Sequence, residues 1–144
     1  MRTTPLYTKI LVLLAFTLLF STTAFGVVWT EHPPVSYGPD VNQMVRFYTP
    51  DNANGCFFTW MAPGGWATAN NFINVSDGNW DVFAPLSIAV VDYSTGHGSY
   101  YWTPNSWDDA ISGFQLAKYV AKNVHGFDPE CAGAMGQSAG ANLS

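Results

Sequence analysis

The segment MVRFY (44–48) alternates apolar and polar residues, the period-2 pattern of a strand with one covered face. A turn cluster, TPDNANG, follows it. CFFTWM (56–61) is aromatic and β-prone and predicts a central strand, broken by the Pro-Gly-Gly of APGGW. In PLSIAVVDY the stretch Leu86 to Val91 is almost continuously apolar, as in a parallel-sheet strand covered on both faces. SWDDAISGFQLAKYVAKN predicts a helix. Trp107, Ile111, Phe114, then Ala117 or Lys118, then Val120 or Ala121 recur at the helical period. Ser106 is placed to N-cap it, Asp108 and Asp109 to sit in its first turn, and Gly126 to stop it. CAGAMG reads as a short strand and SAGANLS as the start of another helix. EHPPVSYGPD reads as an extended lead-in, and residues 66–84 as a long loop with room for a short helix. The order β, β, β, α, β, α predicts an α/β fold, a mostly parallel sheet with flanking helices. Ligands in such sheets bind at the carboxyl ends of the strands.

The chain before residue 27 does not follow this alternation. Arg2 and Lys9 precede the apolar run Ile10 to Phe20, and small residues follow, with Ala24 and Gly26 placed for cleavage. Basic, apolar, small is the order of a secretory signal peptide over residues 1–26, and the apolar run is short for a membrane span of about 20 residues. Cleavage after Gly26 leaves residues 27–144 as the folded part, with no stable membrane span. It removes two basic residues and no acidic ones, taking the net charge from −5 to about −7. A chain so acidic is not built to bind nucleic acid. It suits a secreted, extracellular protein.

Cys56 and Cys131 fit no zinc or CxxC spacing. In an oxidising compartment they either pair or remain as two buried thiols. Asn74 opens a glycosylation sequon, NVS. Asn142 opens another, NLS, expected to be buried.

The candidate chemistry lies near the end of the chain. GQSAG is a G-x-S-x-G pattern centred on Ser138, between a predicted strand and a predicted helix. A nucleophilic serine there must stand exposed on a sharp turn. The residues two before and two after pass too close for side chains, hence Gly136 and Gly140. APGGW, at the end of an earlier strand, is placed to offer backbone N–H groups to the same oxyanion.

From about Val41 to Ser144, on WMAPGGW, IAVVDYSTG and DDAISGFQLAKYVAKNVHGFDPECAGAMGQSAGANLS, the sequence resembles the α/β-hydrolase superfamily, most of all its carboxylesterase and hormone-sensitive-lipase branch. The resemblance implies an incomplete α/β-hydrolase fold, the N-terminal part of such a domain over residues 27–144, ending just after the nucleophile elbow. It implies Ser138 as nucleophile, with Gly64, Gly65 and Ala139 as the oxyanion hole. It also makes neighbours of the strands opened by Cys56 and Cys131, and so implies a disulfide between them. The implied substrate is a small-molecule or lipid carboxylic ester, with no cofactor and no metal. Two positions depart from the family's His-Gly-Gly-Gly-Trp: Ala62 stands for the His and Pro63 for the first Gly, and proline has no N–H to donate.

A serine hydroxyl needs a base and an acid to orient that base. In this fold the order is Ser, then Asp or Glu, then His, and the six residues after Ser138 include none of these. His97, in the loop after VVDY, is on the correct side of the sheet. His125 is expected at the opposite end, and His32 lies in the lead-in. Asp92 reads as a loop-fixing residue. The expectation is a fragment of a secreted serine esterase or lipase, inactive as given, whose strand before Ser138 would be an open apolar edge. A non-catalytic binding protein on a hydrolase scaffold is the alternative, motivated by APGGW. Trp66, Trp80, Tyr100, Tyr101 and Trp102 are either pocket residues or packing under the loops.

Overall fold

In the computed structural model of the chain, the described residues are 26–61, 63, 73–93 and 104–144. Residues 1–25 of the proposed leader lie outside them. Among the described residues the strands are β1 (Trp29–Glu31), β2 (Val35–Ser36), β3 (Met44–Pro50), β4 (Phe57–Met61), β5 (Ser87–Asp92) and β6 (Ala132–Gly136), with one α-helix, α1 (Pro104–Asn123), between β5 and β6. They form a single sheet in the order β1-β3-β5-β4-β6, with β2 also on β3.

The sheet is mixed. β5, β4 and β6 are parallel, whereas β3 is antiparallel to β1, β2 and β5. The TPDNANG turn after β3 does not make a hairpin with β4, because β5 inserts between them. A strand so placed is covered on both sides, and all six residues of β5 are buried. Its unbroken apolar run is the sequence counterpart of that position.

Side chains alternate between two cores. Val45, Phe47, Phe57, Ala89 and Val91 face α1, packing with Ala110, Ala117, Val120 and Ala121. Tyr48, Phe58, Ile88 and Val90 face the other way, under Trp29, Trp60, Trp80 and Phe83. Short 3-10 turns at Val75–Asp77 and Asp81–Phe83 carry part of that second cover, where the sequence left room for a short helix.

The helix departs from expectation in two respects. It starts at Pro104, a residue tolerated in a first turn because its missing N–H would have no partner there. Ser106 is therefore inside the helix and buried, not its cap, and no acidic residue lies in the first turn. Asp109 is buried and accepts from Gln43 Nε2 at 2.7 Å. Second, Ala117, Val120 and Ala121 are buried as the period predicts, but earlier in the helix the small Ala110 and Gly113 take the place of Trp107 and Ile111. Ala110, Gly113, Ala117 and Ala121 meet the sheet, while Ile111 is 53% exposed. Close approach explains the choice. A Cβ on Gly113 would collide with Val91 Cγ1 and come within 3.3 Å of Tyr37 Cε1.

Adding that methyl should therefore destabilise, although alanine favours helix by about 1 kcal/mol over glycine. Gly113→Ala is expected to lower the urea midpoint, by an overpacking cost of about 1–3 kcal/mol. Combined with Val91→Ala, the loss should be smaller than the sum of the two single losses. An unchanged or raised midpoint for Gly113→Ala would show that the helix stands off the sheet.

Candidate active site

β6 pairs in parallel with β4, and the pairing runs to the ends of both strands, with Met61 opposite Gly136. Gln137 N donates to Met61 O at 3.2 Å, extending the contact one residue further. The backbone then reverses. Ser138 has φ 55°, the one non-glycine residue with positive φ among those described. A left-handed conformation costs an L-residue about 1–2 kcal/mol, so the surrounding structure must hold it there.

What holds it is a turn stitched at short range. Gly140 N donates to Gln137 O at 3.0 Å, Ala141 N to Ser138 O at 3.0 Å and Leu143 N to Gly140 O at 3.0 Å. The turn folds back onto β6: a Cβ on Gly136 would overlap the Gly140 carbonyl and lie 2.7 Å from Ala141 N. Ser138 is exposed at the tip, while Ala139 and Gly140 beneath it are buried. The segment after the serine is a 3-10 turn, Gly140–Asn142, in place of the expected α-helix start.

Asn142 Nδ2 donates to Ser138 O at 3.2 Å. The sequence showed Asn142 only as a sequon residue expected to be buried; it is exposed. Its i+4 spacing from Ser138 was the available signal. Asn74 is also exposed, and its Oδ1 accepts from Ser76 N at 3.1 Å.

Gly64 and Gly65 lie outside the described residues. Pro63, just before them, is exposed beyond the end of β4. Because β4 and β6 are neighbours in register, the end of β4 that precedes Pro63 lies beside the start of the serine turn. At the other end of the same two strands Cys56 and Cys131 form a disulfide, with Cα atoms 4.9 Å apart. β6 terminates the strand order, and its residues are half-buried to exposed. Along it, Met61, Trp107, Ile111, Phe114, Ala134 and Leu143 line an apolar groove of about 330 Å³.

The described histidines are remote from Ser138. His32 Nε2 contacts Thr49 Oγ1 at 2.9 Å, and His125 follows the helix, so both lie at the amino ends of the parallel strands. They pack edge to face, ring centroids 4.4 Å apart. His97 lies outside the described residues, as do Trp66, Tyr100, Tyr101 and Trp102. Trp80 packs under the sheet, edge-on to Trp60 at 5.3 Å. Asp92 carries an ion pair with Arg46 at 3.9 Å, and its carbonyl accepts from the Tyr37 hydroxyl at 2.6 Å. Burial, reinforced by Asp109, Asp92 and Asp40, pushes the Tyr37 phenol far above its ordinary range. Among the described residues no group of three or more His, Cys, Asp or Glu could hold a metal, and no helix is long and apolar enough to cross a membrane.

The geometry has counterparts among solved structures. A bacterial heroin esterase matches 94% of this chain at 27% identity and a TM-score of 0.57, over 43% of its own length. The chain has the α/β-hydrolase fold. An arylesterase matches 99% of the chain at 18% identity and a TM-score of 0.59, over 52% of its length. A hormone-sensitive lipase from a metagenome library matches 99% at 18% identity and a TM-score of 0.56, over 44% of its length. At 18% identity such a likeness speaks for the fold alone. The resemblance to the α/β-hydrolases therefore holds in the fold, and the chain spans about half or less of the length of these neighbours. No protein-family model and no curated protein matches the chain.

Two outcomes follow from the geometry. Gly136→Ala should open the serine turn, with a loss of about 1–3 kcal/mol from the forced overlap. Unchanged thermal stability would mean that the turn does not close on β6. His125 has its pKa lowered by burial and then by His32. The folded state therefore binds fewer protons than the unfolded state between that lowered value and about 6.5, so stability should fall as pH drops through that window. His125→Gln should flatten the acid limb of a denaturation-midpoint profile.

Proposed function

We propose that the chain is the N-terminal part of a secreted serine carboxylic-ester hydrolase, an esterase or lipase. Ser138 is the nucleophile. Its Oγ attacks the ester carbonyl carbon while a base takes its proton. The amides of Gly64, Gly65 and Ala139 stabilise the oxyanion. The alcohol leaves with a proton, and water then hydrolyses the acyl-serine, releasing the carboxylic acid and restoring the hydroxyl. The base and its orienting acid come from polypeptide beyond Ser144, as the chain order of this fold requires. The 144-residue chain by itself is inactive in this reading. The substrate is a small-molecule or lipid carboxylic ester.

The observation that carries the reading is the backbone of Ser138. A serine at φ 55°, exposed at the end of a parallel strand and closed over a glycine that has no room for a Cβ, is the arrangement a nucleophile elbow needs. The hydrolase fold of the neighbours supports it further. Proline at 63 supports the second reading, a non-catalytic binding protein, because it removes one amide from the expected oxyanion hole.

The test separates the two. The full-length gene product should hydrolyse p-nitrophenyl esters and be labelled by a fluorophosphonate at Ser138. Ser138→Ala should cut turnover by on the order of 10⁴-fold or more and abolish the label. A folded full-length protein that neither turns over nor labels would establish the binding reading.

A further inference from the structure

The lead-in that follows the proposed leader is held by one carboxylate. Asp81 sits at the start of the 3-10 turn Asp81–Phe83. Its Oδ1 accepts from Trp29 Nε1 at 2.9 Å and its Oδ2 from the backbone N of Val27 at 3.3 Å. Val28 O accepts from Asp51 N at 2.9 Å, and β1 pairs with β3 from Trp29 onward. Val27 N is therefore fixed against a carboxylate oxygen at the position where Ala24 and Gly26 mark a cleavage site.

We propose that Asp81 is a built receptor for the α-ammonium of Val27, formed when the leader is removed after Gly26. The proposal rests on the leader part of the function proposed above and is independent of the role of Ser138. Hydrolysis of the Gly26–Val27 peptide bond by a leader peptidase consumes one water. Gly26 leaves as a carboxylate on the leader, and the nitrogen of Val27 becomes an ammonium. A neutral amide with one N–H becomes a cation with three, at the same place. The contact with Asp81 turns from a long amide hydrogen bond into a charge-assisted one.

The surroundings favour the charge. Charged side chains on the neighbouring elements are acidic: Glu31 on β1, Asp51 after β3 and Asp77 in the preceding turn. Arg46 on β3 lies toward the other end of that strand, against Asp92. Docking the new terminus also tightens the aromatic cover, because Trp29, Trp80 and Phe83 pack on the same core.

Removal of the leader would thus stabilise the protein only after processing. The sign with pH is fixed. An ammonium paired with a carboxylate has its folded pKa raised above the ordinary 7.7–8.0, so its contribution is complete below about pH 7.7 and is lost as pH rises through the folded value.

The experiment has two arms. First, the full-length protein is secreted from a host cell and its N-terminus sequenced. Val27 is expected; a cleaved start at another residue overturns this proposal, and an uncleaved Met1 overturns the leader reading with it. Second, the same protein is prepared with a free Val27 amine or with Gly26 retained ahead of it. The free-amine form should melt about 3 °C higher at pH 6.5, and the difference should shrink above pH 9. Asp81→Asn keeps an amide oxygen to accept from Trp29 Nε1 but removes the negative charge, and should erase the difference between the two forms. Equal melting of the two forms, or a difference that survives Asp81→Asn, overturns the receptor and leaves the leader standing.

Discussion

The candidate site depends on two stretches of backbone passing each other without side chains between them. Gly136, the last residue of β6, lies under the carbonyl of Gly140. For the chain to return that closely within four residues, it must reverse sharply, and the reversal falls on Ser138. The strain of a left-handed serine, about 1–2 kcal/mol, is offset by the hydrogen bonds that close the turn, each worth about 1 kcal/mol net. The hydroxyl is consequently placed by backbone geometry, with little contribution from packing around the serine itself.

The sheet determines what surrounds that hydroxyl. β5, buried on both faces, separates β3 from β4, so these two consecutive strands cannot close as a hairpin. The chain must instead cross over and enter β5, β4 and β6 in the same direction. Parallel strands in register end together, and Met61 opposite Gly136 is that shared end. The end of β4, at Met61, therefore lies beside the start of the serine turn although more than seventy positions separate them in sequence. The same logic sends His32 and His125 to the far end, where their rings pack edge to face and burial, then the charge of His32, lowers the pKa of His125.

Much of this was legible in the residues. The apolar run of β5 gave its burial, the alternation in MVRFY gave β3, and G-x-S-x-G between a strand and a helix start gave the turn. The helix was legible as an element but not in its orientation. Periodicity marks the large residues, whereas packing distance selected the small ones, and only the contact of Gly113 with Val91 reveals that choice. The antiparallel half of the sheet was hidden for a similar reason. Strand direction depends on the path between strands, and no local pattern encodes it. Asp81 was silent because its partners Val27 and Trp29 lie 54 and 52 residues away. Asn142, by contrast, stood four residues from the carbonyl it binds, within reach of a local reading.

β6 is an unusual strand on which to mount a proposed nucleophile. Its residues Ala132, Gly133, Ala134 and Gly136 bring little apolar area, and its outer side has no strand partner among the described residues. Burial at about 25 cal/mol per Å² cannot hold such a strand firmly. Two restraints act in its place. The ladder to β4 fixes direction and register, and the Cys56–Cys131 disulfide fixes the amino end of the same pair across a sequence separation of 75. In the chain-entropy account a closed loop of that length stabilises by about 4 kcal/mol, comparable to burying two large side chains. Small residues in β6 leave Gly136 free to meet Gly140, while the covalent link supplies the rigidity that bulkier residues would otherwise provide. The strand can therefore be slight where the turn needs space and still hold Ser138 in place, because its restraint sits at the opposite end of the ladder.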